Sequence, residues 1–336
     1  MSSLSNDEQT AEGTVYKKSI QSCTVWSGGR TVTCTLSPRL WKPDGAAGHK
    51  WKRKSIHEPN SFTPVDPVAV GDVVRFLDGQ DGTGRIVEIL PRHSQLSRRS
   101  PVAMPGAHAF EQVIVSNVDQ VVPVFAVADP EPHWNMLDRY LVTAESFHVP
   151  AVICVTKMDL LDDLSRQEAR DNLNRVLDEY RMIGYPVIAV SSFTGVGLDE
   201  IRLALHGKIS VFLGKSGVGK TSLLNAIQSG LGLRVNPVNQ VTGKGRHTTT
   251  YLEMFGLDQG GAIVDTPGER EFGIWNVHSH DLALFFPEMQ PYVGKCKFGL
   301  GCRHAEEPGC AVRKAVTSGW VSPRRYASYQ RLLEET

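Results

Sequence analysis

No apolar run in the 336-residue chain comes near the roughly 20 residues that cross a bilayer; five-residue stretches such as Ala151–Val155 are typical of its longest. The sequence therefore predicts no membrane partner. The opening MSSLSNDEQTAEG has neither an apolar core nor a small-residue cleavage pattern, so no secretory or mitochondrial leader is expected and the predicted location is cytoplasmic. Net charge is absent too, with 36 basic and 36 acidic side chains. There is no internal repeat and no low-complexity tract. Cysteine is scarce at six, but three of the six fall within fifteen residues, and without a secretory signal such crowding reads as metal before disulfide. With 41% apolar and 21% charged residues, the chain has the composition of a globular protein of two or three domains.

The zero net charge hides an asymmetry. Residues 13–110 carry 14 basic and 7 acidic side chains, residues 291–336 carry 8 and 4, and residues 111–290 carry 14 and 22. Two basic ends flank an acidic middle, the pattern of a protein whose ends hold a polyanion.

Three grammars follow one another along the chain. Residues 1–12 read as a disordered tail. From Gly13 to Phe110, short β-like runs (TVTCTL, VGDVVRFL, RIVEIL) are punctuated by Gly, Pro and Asp, with a hairpin signal at Gln80–Gly84; this predicts a small barrel of about five strands. The basic stretch between Trp41 and Pro64 reads as an exposed loop. From Glu111, apolar runs (VVPVFAVAD, AVICVTK, PVIAVSS, KISVFLG, GAIVD) alternate with helix-length segments, predicting a mostly parallel sheet covered on both faces. Beyond about residue 274, short helices are expected around a Cys/His cluster.

The middle region carries the chemistry. Gly214-Lys215-Ser216-Gly217-Val218-Gly219-Lys220-Thr221 follows an apolar run and opens the helical segment TSLLNAIQ, the context that a phosphate-binding loop requires. Lys220 would reach the β- and γ-phosphates, and Thr221, followed by Ser222, would place a hydroxyl on magnesium. Downstream, Thr248-Thr249-Thr250 and Asp265-Thr266-Pro267-Gly268 supply the parts of a two-state phosphate switch. In that switch one of Thr248, Thr249 and Thr250, with Thr249 the candidate, completes the magnesium shell, Asp265 holds the metal side and Gly268 reads the γ-phosphate. Thr156-Lys157-Met158-Asp159 resembles the [NT]KxD guanine reader, whose carboxylate accepts two hydrogen bonds that adenine cannot donate. Ser191-Ser192-Phe193 resembles the loop that supports the guanine carbonyl.

The order of these elements is unusual: the base readers precede the phosphate loop and DTPG comes last. The same sheet cut at a different point gives that order, so the pattern predicts a circularly permuted G domain. The permutation joins DTPG directly to the C-terminal segment, which suggests that nucleotide state moves an appended unit. In that unit Cys296-x5-Cys302-x-His304-x5-Cys310 offers three thiolates and an imidazole, a closed structural zinc shell with one ion per chain.

Taken together, the permuted G elements, GKGRHTTT ending at Thr250, and CRHAEEPGC from Cys302 to Cys310 resemble the RsgA/YjeQ family of small-ribosomal-subunit-dependent GTPases, as do NVDQ at 117–120, LDRYL at 137–141 and RRYASYQRLLEE at 324–335. The resemblance implies an N-terminal OB-fold β-barrel over 13–110, a circularly permuted α/β P-loop GTPase domain over 111–274 and a C-terminal α-helical zinc-binding domain over 275–336. It implies a monomer that binds GTP or GDP with magnesium, docks on the small ribosomal subunit and its rRNA, and assists late maturation with subunit-stimulated hydrolysis. A nucleotide-dependent RNA-binding scaffold with little hydrolysis is the alternative, and a small-molecule P-loop kinase leaves TKMD, SSF and the zinc segment without a place. Trp41, Trp51, Arg92, Arg98 and Arg99 are available to RNA on the barrel. Glu269 stands where Ras-type enzymes place the water-orienting glutamine, so the family's histidine carries over as the catalytic candidate, His247, beside Lys220. The chain departs from the family pattern in the spacing of Cys296, one residue longer than usual, in the length of the 41–64 loop, and in Thr156 where Asn is commoner.

Overall fold

A computed structural model describes residues 10–19, 21–41, 67–99, 111–161, 167–231, 252–266 and 277–335. Five strands near the N-terminus, β1 (Thr10–Lys18), β2 (Cys23–Ser27), β3 (Arg30–Leu36), β4 (Val73–Asp78) and β5 (Thr83–Ile89), run in the order β1-β2-β3-β5-β4, and a β1–β4 pairing closes them into a barrel. Closure removes the sheet edges that an open set of short strands would expose. β3 shows the alternation that builds it: Val32 and Cys34 point inward while Thr31, Thr33 and Thr35 face solvent. The interior is Val15, Val25, Val32, Val74, Phe76 and Ile86, all fully buried. β1 begins at Thr10, inside the segment read as a tail, because Thr10–Thr14 pair with Leu77–Val73. A hairpin of β6 (Gln95–Arg99) and β7 (Glu111–Ser116) follows.

The second body is a six-stranded sheet in the order β10-β9-β8-β11-β13-β12. Its strands are β8 (Gln120–Ala126), β9 (Ile153–Thr156), β10 (Val187–Ala189), β11 (Ile209–Leu213), β12 (Glu253–Gly256) and β13 (Ala262–Asp265). All pairings are parallel except β12–β13. β8 is buried along its whole length, as a central parallel strand covered on both faces must be. Helices α1 (Trp134–Ser146), α2 (Gln167–Ile183), α3 (Leu198–Leu205) and α4 (Lys220–Ile227) cover the sheet. α1 sets Leu137, Tyr140, Leu141 and Ala144 against it, the i, i+3, i+4, i+7 stripe of an amphipathic helix. From β8 the chain builds outward through β9 and β10, then returns to the other side of β8 with β11. The β8/β11 boundary is therefore the point where strand order reverses, and ligands of open α/β sheets bind at the carboxyl ends there.

The C-terminal unit is a set of single 3-10 turns followed by α5 (Ala311–Thr317) and α6 (Pro323–Glu335). It is not freely appended. Val142 of α1 belongs to its core alongside Phe286, Met289, Val312, Val321 and Tyr329. Arg325 of α6, fully buried, donates to Asp138 of α1 at 2.5 Å and to Glu288 at 2.6 and 3.1 Å. Arg324 reaches Glu179 and the Tyr180 hydroxyl of α2, and that hydroxyl donates to Asp138 at 2.7 Å. A swing of this unit away from α1 and α2 would strip these charges of their partners.

Candidate functional site

The phosphate loop leaves β11 at Gly214 and ends at Gly219, whose φ of +91° lies in the left-handed region that L side chains rarely adopt. That turn starts α4 at Lys220 with no side-chain cap, leaving the helix's first N–H groups directed at the loop, as anion binding requires. Lys220 Nζ donates back to the carbonyls of Gly214 and Lys215, the latter at 3.2 Å, so its ammonium already sits over the cradle that Lys215, Ser216, Gly217 and Val218 line. Thr221 and Ser222 occupy the first turn of α4.

Asp265 is the final residue of β13, 7% exposed, and lies in register with Phe212 of β11, two residues before the phosphate loop. The strand pairing thus brings the aspartate to the metal side of the loop, with the Thr221 hydroxyl as a second hard oxygen donor suited to a small divalent cation. The next residue, Thr266, ties back to Phe212 O at 2.9 Å.

The base reader is built around a buried hydroxyl. Thr156, at the end of β9 and 1% exposed, donates to Val218 O of the phosphate loop at 2.5 Å and lies 3.2 Å from Phe125 O. A threonine therefore connects the base-reading turn to the phosphate loop with a single hydroxyl. Lys157 follows at φ +60° and donates to Asp129 O; burial holds its pKa below the usual lysine value, with Asp129 and Asp159 opposing that shift. Met158 packs on the core of the sheet, and Asp159 lies in the single turn Met158–Leu161. Ser191, fully buried, donates to Asp159 Oδ1 at 2.5 Å and accepts from the N–H groups of Phe193 (3.2 Å) and Thr194 (3.1 Å). The hydroxyl thus fixes the direction of the Asp159 carboxylate, a contact that the resemblance of SSF to a carbonyl-supporting loop did not suggest. Ser192 is half-buried, and Phe193 is 89% exposed at the rim.

Thr156, Asp159, Ser191, the phosphate loop and Asp265 thus converge at the carboxyl edge of one sheet. His247, Thr248, Thr249, Thr250, Gly268 and Glu269 lie outside the described residues, as do Trp51 and the side chains of Trp41 and Arg99. Of the other barrel candidates, Arg92 is committed to the fully buried Asp72 through two hydrogen bonds of 2.7 and 2.8 Å, and Arg98 donates to Gln112. Trp26, which composition did not single out, is 41% exposed and stacks on Tyr16 at 5.8 Å.

A second site lies in the C-terminal unit. The ligand atoms of Cys296, Cys302, His304 and Cys310 all fall within 4.8 Å of one another, and all four residues are buried. Cys296 Sγ and Cys310 Sγ are 3.9 Å apart and lie 3.4 and 3.5 Å from His304 Nδ1. Tetrahedral bonds of ordinary zinc–sulfur and zinc–nitrogen length give separations of about 3.8 and 3.5 Å, so these donors fit a metal ion. The 3-10 turn Gly299–Gly301 lies between Cys296 and Cys302. N–H groups of Ala311 and Arg313 point at Cys296 and Cys310, while Tyr326 and Tyr329 hydroxyls hold the carbonyls of Arg303, His304 and Ala305. Burial pushes the Cys302 thiol up to about 12 and lowers His304. Thiolates in such a place are stabilised by a bound cation.

Comparison with known proteins agrees with this geometry. The sequence pattern of the family described as RsgA GTPase matches residues 89–275. A Pseudomonas aeruginosa (strain LESB58) protein named "Small ribosomal subunit biogenesis GTPase RsgA" is 42% identical over 266 residues, 79% of this chain and 75% of its own length. A Bacteroides fragilis (strain YCH46) protein of the same name is 39% identical over 294 residues, 88% of this chain and 92% of its own. Among solved structures, YjeQ from Thermotoga maritima superposes with a TM-score of 0.70 at 30% identity, covering 97% of this chain and 98% of that one. YloQ, described as a circularly permuted GTPase, gives 0.66 at 29% identity, covering 99% and 97%.

Proposed function

The chain belongs to the RsgA GTPase family, whose members hydrolyse GTP, and from that premise we propose that it acts on the small ribosomal subunit, assisting late maturation and hydrolysing GTP to GDP and phosphate when docked there. The observation that carries the reading is Asp159, aimed by Ser191 and joined through Thr156 to the phosphate loop: one sheet edge holds both a guanine selector and a triphosphate cradle. In this reading the protein is a cytoplasmic monomer, with an RNA-binding barrel over 13–110, the GTPase over 111–274 and a metal unit over 275–336.

Each residue has a separable task. Asp159 accepts from the guanine N1–H and 2-amino group, while Ser191 fixes its orientation. Lys220 and the N–H groups at the start of α4 neutralise the β- and γ-phosphates. Thr221, Asp265 and Thr249 would hold the nucleotide's magnesium ion, which supplies charge neutralisation on the phosphate oxygens. His247 orients the attacking water and accepts hydrogen bonding from it, a task that Glu269 cannot perform without repelling the γ-phosphate. Cys296, Cys302, His304 and Cys310 would hold one zinc ion, whose contribution is to fold a segment otherwise short of core. The basic ends of the chain supply the contacts to rRNA phosphates.

The test is GTP hydrolysis measured with purified small subunits and, separately, large subunits. Stimulation by small subunits alone is the expected result, and equal rates with either subunit or none overturn the assignment. On saturating small subunits, His247→Ala should retain GTP affinity and lose roughly 10²–10⁴-fold in single-turnover rate. A wild-type rate removes His247 from the mechanism.

A further inference from the structure

The barrel and the G-domain sheet are one continuous sheet of eleven strands, joined where β1 pairs with β12. β1 does three jobs along nine residues. Its first half closes the barrel on β4, its second half pairs with β2, and at Lys17 it meets Glu253 of β12. The register is interrupted by a bulge between Val15 and Lys17, and bulges re-aim the side chain they displace. Here the side chain is Tyr16. It leaves the barrel, stacks with Trp26 and packs against the core of the G-domain sheet. Its ring lies over Gly256 of β12 so closely that a Cβ there would be 3.2 Å from the Tyr16 hydroxyl.

The register carries further than the seam. Lys17 opposes Glu253, Glu253 opposes Asp265, and Asp265 lies beside Phe212 at the base of the phosphate loop. Residues directly opposite across strands share a face, so a single cross-strand row runs from the barrel to the aspartate on the metal side of the nucleotide. Lys17 and Glu253 are also ion-paired at 3.1 Å.

We propose that Tyr16, Lys17 and Glu253 are positioning residues for GTP hydrolysis: they make the barrel's β1 and the Asp265 strand register one mechanical unit, so that a partner bound to the barrel adjusts the metal side of the nucleotide site. The proposal rests on the small-subunit reading above for the identity of that partner. All three lie on β1 and β12, outside the phosphate loop and the turn that carries Asp159. The Lys17–Glu253 pair is partly exposed, and such pairs contribute little to stability, so reversing their charges probes coupling rather than folding.

The experiment compares wild type with Lys17→Glu, Glu253→Lys, the double charge swap and Tyr16→Ala, measuring basal turnover, small-subunit affinity and subunit-stimulated turnover. The Glu253→Lys and Tyr16→Ala variants should keep basal turnover and subunit affinity within about twofold, and all three single variants, measured on saturating subunits, should lose stimulation by about 5- to 100-fold, the range of typical coupling energies. The double swap should restore most of the loss in the charge variants. Unchanged stimulation in both Lys17→Glu and Tyr16→Ala, or losses that follow subunit affinity, overturn the proposal. Amide hydrogen exchange of β1 in the GDP and non-hydrolysable GTP complexes reads the seam without ribosomes, because a nucleotide-dependent binding equilibrium at the barrel requires a reciprocal response of β1 to the nucleotide. Protection of Val15–Lys18 should differ between the two nucleotides in wild type and not in Tyr16→Ala; identical protection in wild type overturns the coupling even where stimulation exists. Wild type that is unstimulated but shows the exchange difference overturns the functional reading and leaves the seam standing.

Discussion

The two ends of the chain are attached to the G domain by different chemistry. At the C-terminal end the contact is buried and ionic: Arg325, Asp138 and Glu288 have almost no exposed surface, Val142 of α1 sits in the C-terminal core, and Arg324 reaches α2. At the N-terminal end it is backbone and apolar: β1 meets β12 at one register pair with a half-exposed salt bridge, Val70 bridges Val115, Asn117 donates to Gly71 O, and Val70, Leu96 and the Tyr16 ring pack into the core of the G-domain sheet. The attachments also address different halves of the nucleotide site. α1 and α2 flank the strands that read the base, whereas β12 and β13 lead to the metal side. Separate attachments for the two halves suit a switch, because guanine is common to GTP and GDP and only the γ-phosphate differs.

The largest effect is expected where the rigid end is broken from within. Cys310→Ser should abolish the bound zinc, about one ion per chain in the wild type, and remove much of the roughly 10 kcal/mol of metal-linked folding energy that small zinc modules carry. Because the C-terminal core includes Val142, the G domain's thermal midpoint should fall with it. Stoichiometric zinc in the variant removes Cys310 from the site. Breaking the contact between the units comes next: Asp138→Ala removes the buried acceptor that Arg325 and Tyr180 share, leaving Arg325 with Glu288 alone, and should cost about 3–5 kcal/mol in denaturant unfolding. A loss below 1 kcal/mol means the interface is wet and the end is not rigid.

A subtler variant separates the halves of the site without touching either attachment. Asp159→Asn should raise the Kd for GDP by about 10²-fold or more and shift preference toward xanthine nucleotides, since the aimed carboxylate no longer accepts two hydrogen bonds. Calorimetry showing wild-type GDP affinity withdraws the base-reading role. The smallest effect belongs to the seam: Lys17→Ala should change unfolding free energy by less than about 1 kcal/mol. A loss of several kcal/mol makes both ends equally rigid and dissolves the contrast.

Much of this was legible from residues, because the informative features were local. The alternation in TVTCTL, the apolar runs that became β8, β9, β11 and β13, the phosphate loop at a strand–helix junction and the Cys/His spacing each carry their signal within a few positions. What escaped was non-local or contrary to type. Lys17 and Glu253 are separated by 236 positions, and one register pair leaves no periodicity to read. Asp138 and Arg325 are charged residues on amphipathic helices, so their types assign them to solvent; only the opposing unit shows that both are buried. Arg92 looked available to RNA until Asp72, twenty positions away, claimed it.

The Asp138–Arg325 pair spans 187 positions, and synthesis proceeds in one direction. Asp138, with the strands that flank α1, emerges long before residue 325 is made. Until then the aspartate stays hydrated and α1 cannot bury that face. Contacts of such long range are late and slow to form, so the base-reading half reaches its final rigidity after the rest of the sheet has been synthesised. A nascent chain stalled between α4 and α6 would hold a complete phosphate loop against helices still exposed on one side, a target for chaperones and proteases rather than a working switch.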